Sequence, residues 1–110
     1  MKHTINYVLE QVIKELDFLS DESIWADGYE NKCVLRATSV AQDAEAYLES
    51  LEDHRKSSVY MDVKNAFKCL FHAMLMLASR KNEFPEERWK DFKKAAAEFK
   101  EAKEKVLAAL

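Results

Sequence analysis

Three kinds of side chain in this 110-residue chain could do chemistry: two cysteines, three histidines and a scatter of carboxylates. Cys69 and His72 stand three residues apart. On a helix that spacing puts a thiol and an imidazole on neighbouring turns, as a nucleophile and base or as two metal ligands. Cys33 would make a third ligand, but a structural zinc site takes four, usually closely paired. Acyl transfer also needs free backbone N–H groups to hold an oxyanion, and a helix has none in mid-span. Di-iron bundles use a Glu three residues before a His. Here Leu51 holds that place before His54, and Cys69 before His72. The preferred reading is a packed Cys69 beside a hydrogen-bonded His72, with both cysteines buried and reduced. Gly28 is the only glycine, so neither a phosphate-cradling loop nor a dinucleotide fingerprint can be written. No catalytic residue, metal or cofactor is expected.

Glu49 and Glu52, followed by Asp62, form the other cluster of interest. Their spacing resembles the magnesium-binding carboxylates of the all-α, MazG-like nucleotide pyrophosphohydrolases. The resemblance rests on three residues and implies a magnesium site if the three converge. In helical projection Glu49 and Glu52 fall outside or at the rim of the apolar arc, and Asp62 points away from its core. A solvated face is the better account, and no family membership follows. The Arg-x4-6-His motif of the helical HEPN ribonucleases is missing.

The elements that must position these groups are helices. One glycine and one proline are too few for the turns of a β-sandwich or barrel. Ile5, Val8, Leu9, Val12, Ile13, Leu16 and Leu19 fill one arc of about 140°, which predicts a helix over about 4–19 with Thr4 as its N-cap. Cys33, Val34, Ala37, Val40, Ala41, Ala44, Tyr47, Leu48 and Leu51 predict a second over about 30–53. Its alanines let a neighbour come close. Polar residues 52–58 end it, and Ser57 or Ser58 caps the next. The third, about 58–80, carries Val59, Tyr60, Val63, Ala66, Phe67, Leu70, Phe71, Met74, Leu77 and Ala78. Its second half is apolar on nearly every side, so it reads as the central, most enclosed helix. Pro85, Glu86 and Glu87 open the fourth, which runs nearly to the end. Its stripe is Trp89, Phe92, Ala96, Phe99, Val106 and Leu110. Lys93, Lys94, Lys100, Lys103 and Lys105 alternate with acids on its outer face. The expected architecture is one all-α domain over 1–110, an antiparallel four-helix bundle, with a short extra helix over about 21–27 in the first connection.

Surfaces left over by that bundle point to a partner. Tyr7 and Phe18 lie at nearly the same angle on the first helix, about 16 Å apart and opposite its core arc. On the third helix Met61, Asn65, His72, Leu75 and Met76 lie away from the main arc. Unless the fourth helix or the first connection covers them, they form an apolar patch. The first connection sets Asp21, Glu22, Asp27 and Glu30 around Ile24, Trp25 and Tyr29. It either plugs the bundle end or meets a basic partner.

The net charge is −3, unlike the basic domain of a nucleic-acid binder. It is unevenly spread. Residues 1–58 hold 6 basic and 12 acidic side chains, whereas 59–110 hold 11 and 8. The simpler account is chance on a solvated surface, where exposed pairs contribute little; the other is that the two halves attract each other, inside one bundle or between chains. The longest apolar run, Ala73 to Ala78, falls far short of the roughly 20 residues that span a bilayer. The first residues lack a secretory signal's apolar stretch. The expectation is a cytoplasmic, non-enzymatic protein-protein interaction module: an adaptor, an assembly factor, or a small inhibitor or immunity-type protein, with a homodimer through the outer face of the third helix as one version. The alternatives are a small all-α enzyme or metal module at the two clusters above, and a weak nucleic-acid binder acting through the Lys-rich last helix.

Overall fold

The structure is a computed structural model, and it describes residues 2–21, 30–51, 58–78 and 86–109. Four helices account for nearly all of these: α1 (Lys2–Leu19), α2 (Glu30–Glu49), α3 (Ser58–Ala78) and α4 (Glu86–Ala109). There is no strand among the described residues. The helices form an antiparallel four-helix bundle with extents of 45 × 20 × 19 Å. Each helix packs on its neighbours in the chain, and α1 also meets α4, so the order around the bundle is α1, α2, α3, α4. The α3–α4 contact is the most extensive and α1–α2 comes next, while α2–α3 and α1–α4 are smaller. The bundle is thus two hairpins laid together.

The apolar arcs become the core. Ile5, Leu9, Val12, Ile13, Leu16 and Leu19 of α1 are buried, and Val8 packs at their edge. From α2 the core takes Val34, Ala37, Ala41, Ala44 and Leu48. Three of those five are alanines, so α2 adds little bulk and the larger residues of its neighbours fill the middle. Phe67 of α3 meets Phe99 of α4 edge to face, with ring centroids 5.0 Å apart and planes at 73°. Phe71 stacks beside Phe67 at 6.0 Å.

Several sequence expectations change. Helix α1 starts at Lys2, so Thr4 lies inside the first turn and is not the cap. Helix α2 stops at Glu49, four residues early. There the Ser50 hydroxyl donates to the Tyr47 carbonyl at 2.6 Å, and Leu51 N–H reaches only as far back as Leu48 O. This tightened last turn satisfies orphan carbonyls and ends the α-helical ladder. Nor is α3 enclosed on nearly every side. In a ring of four each helix turns one flank to water, and α3 exposes Met61, His72 and Leu75 there. Cys69 lies on that outer flank too, exposed, while Cys33 is half-buried; neither is in a disulfide. The short helix over about 21–27, Pro85 and the Ser57 cap lie outside the described residues.

Lys103 is the other correction. It is only 8% exposed and belongs to the inner face of α4, not the outer. Its position between Phe99 and Val106, four residues after one and three before the other, sets its stem on the core stripe. The chain then carries the ammonium out to the rim, where it donates to Glu10 of α1.

Phe67 anchors the largest contact in the fold. Phe67→Ala is expected to lower the unfolding free energy by about 3–5 kcal/mol, read from urea denaturation followed by circular dichroism. A loss under about 1 kcal/mol would show that the ring does not fill the core.

Candidate functional site

An open groove runs between the helices of each hairpin. The α1–α2 groove has a volume of about 350 Å³ and is walled by Tyr7 and Tyr47. Across it Arg36 Nε donates to Glu15 Oε1 at 2.9 Å. The α3–α4 groove has about 540 Å³, with Cys69, His72 and Met76 on one wall and Arg88, Asp91, Lys94 and Glu98 on the other. Arg88 ties its head shut by donating from a terminal guanidinium nitrogen to the Met76 carbonyl at 3.2 Å. Both grooves mix charges of both signs, and neither is an enclosed cleft.

Cys69 and His72 do share this groove, yet both are exposed. The packed thiol and hydrogen-bonded imidazole expected from the sequence are therefore absent. At 100° per residue Cys69 falls on the outer flank of α3, away from the arc of Phe67, Leu70 and Met74. Among the described residues no three His, Cys, Asp or Glu side chains converge as metal ligands would. Glu49 and Asp62 are exposed on different helices, and Glu52 lies outside the described residues.

Of the residues expected to meet a partner, Tyr7, Phe18, Leu75 and His72 are exposed, and Met76 is half-buried. Asp21 is exposed, and its N–H donates to Phe18 O at 3.2 Å at the end of α1. Glu22, Trp25, Asp27 and Tyr29 lie outside the described residues. The structure adds Leu35, which the sequence reading passed over. It is 69% exposed, beside Leu75 at 66%, Tyr7 at 65%, Phe18 at 52% and Met61 at 48%. Antiparallel packing brings the C-terminal end of α1, the N-terminal end of α2 and the C-terminal end of α3 together. Phe18, Leu35 and Leu75 therefore share one end of the bundle. The signal for Leu35 was present: it sits one position past the buried Val34, at right angles to it.

The chain matches no protein-family model, no curated protein and no solved structure.

Opposite charges meet across the seams between the hairpins. Asp17 accepts from Lys100 at 2.7 Å, and Glu10 accepts from Lys103, which also has Glu104 at 3.7 Å. On the opposite seam Glu45 of α2 feels Lys64 and Lys68 of α3. Apart from Glu104, the acid belongs to the first hairpin and the base to the second. Part of the uneven charge of the sequence therefore meets across the two seams. Beside Trp89, Lys93 sits 4.5 Å from the ring centroid as a cation–π contact.

Burial, then the neighbouring Glu49 charge, raises the Glu45 pKa above its ordinary 4.5, and the two lysines offset this only in part. A raised folded pKa means that the folded state binds the proton more tightly. The stability this confers is complete below 4.5 and is lost as pH rises through the folded value. Ionised Glu45 therefore costs stability at neutral pH. Glu45→Gln is expected to raise Tm at pH 7, with the gain fading as pH falls below 4.5. A gain independent of pH would contradict the assignment to Glu45.

Proposed function

We propose that this chain is a protein-protein interaction module rather than an enzyme, of the adaptor, assembly-factor or inhibitor kind. The observation that supports it is the exposure of Phe18, Leu35 and Leu75 at one end of the bundle. Single exposed apolar residues are ordinary, whereas three large ones at one end of the bundle, one on each of three helices, make that end a candidate binding surface. Two unbridged thiols, one of them exposed, suit a reducing compartment such as the cytoplasm. No helix among the described residues is long and apolar enough to cross a membrane.

The lysines of α4 favour nucleic acid less. Lys100 and Lys103 are engaged by Asp17 and Glu10, and Glu101 lies 3.9 Å from Lys105. A backbone-tracking surface keeps its cations available for phosphate.

The test is a matched pull-down from native lysate with the wild type and a Phe18→Ser, Leu35→Ser, Leu75→Ser variant. Each change should alter stability by no more than about 0.5 kcal/mol, as is usual for surface positions. The variant is expected to lose a protein that the wild type retains. Equal capture by both, with folding unchanged, would remove this end of the bundle as the binding surface.

A further inference from the structure

Each hairpin has an apolar arc that it does not cover by itself, and each arc is closed by the other hairpin. Among the described residues the ion pairs that cross that closure run in one sense, acid from the first hairpin and base from the second. Glu10 and Asp17 of the first hairpin meet Lys103 and Lys100 of the second. On the far seam Glu45 faces Lys64 and Lys68. The helix pair inside each hairpin packs more extensively than either seam taken singly. The surface that the first hairpin offers thus fits any copy of the second hairpin, whichever chain supplies it.

We propose that this chain pairs with a second copy of itself by exchanging hairpins. The acidic α1–α2 hairpin of one copy seats on the basic α3–α4 hairpin of the other, and the reverse. The dimer then contains two bundles, each with the same core and the same ion pairs as the monomer. Little separates the two states in contacts, so concentration decides between them. A short tether holds the chain's own hairpin at an effective concentration on the order of millimolar. Exchange therefore becomes substantial when copies meet at comparable concentration, or when one chain's own hairpins mismatch. Domain swapping of this kind reuses existing contacts and creates no new surface. The proposal names a partner for the interaction reading above but rests on the seams, not on Phe18, Leu35 and Leu75. Failure of either experiment leaves the other reading standing.

Two variants test it. One carries Glu10→Lys and Asp17→Lys, and the other Lys100→Glu and Lys103→Glu. Each alone sets like charges across the α1–α4 seam, whether as a monomer or as a dimer of identical copies. In a hairpin-exchanged pair of the two variants, both bundles regain opposite charges. Unfolded together and refolded as an equal mixture, they are expected to elute at twice the monomer mass and to melt above either variant alone. The wild type refolded at millimolar concentration should give the same dimer in smaller proportion. A mixture that stays at monomer mass, or that melts as its separate components do, overturns the proposal. So does a dimer that forms at once when folded variants are mixed, since it would be a surface association. A wild type that remains wholly monomeric after concentrated refolding also overturns it.

Discussion

Everything in this fold depends on two amphipathic hairpins that cover each other. Neither α1–α2 nor α3–α4 closes its own apolar arc. The large rings, Phe67, Phe92 and Phe99, all come from the second hairpin. The first contributes branched aliphatics from α1 and mainly alanine from α2. Bulk and space are complementary, and so is charge at the rim. Burial of apolar area supplies the non-directional attraction. The acidic and basic rims favour closure of the first hairpin against the second, because like charges across a seam are unfavourable.

The elements themselves were legible because a helical period is a simple code. Every described member of the α1 arc is buried or packs on the core, and the same holds for α2. What escaped was the extent of each arc. Lys103 was assigned to water by its residue type, although its place between Phe99 and Val106 put it inside the stripe. A long stem lets a lysine be apolar along its length and charged at its end. Cys69 failed in the opposite direction: its residue type suggests burial, and its angle on α3 forbids it. In both, position outweighed type.

The run from Ala73 to Ala78 misled for a related reason. Continuous apolar sequence suggests a helix surrounded by protein, yet a ring of four gives no helix that place. Ala73, Met74 and Leu77 are buried while Leu75 is left in water. The same reasoning leaves Leu35 out on α2. Such departures from binary patterning cost solubility and contribute nothing to the core. They are the positions on which the proposed interaction surface rests. The candidate surface was therefore only half legible: Phe18 and Leu75 stood out against their helices, whereas Leu35 adjoined a core residue and was overlooked.

The central claim is that charge complementarity between the hairpins helps to hold the α1–α4 seam. A double-mutant cycle between Glu10 and Lys103, using Glu10→Gln, Lys103→Met and the pair, measures it most directly. Removing Glu10 alone leaves a mostly buried ammonium poorly matched, and removing both leaves nothing unmatched. The expected coupling is favourable and about 1 kcal/mol or more, shrinking little with salt because the lysine is shielded from solvent. Two single losses that simply add would contradict the account, and would leave apolar packing alone to join the two halves.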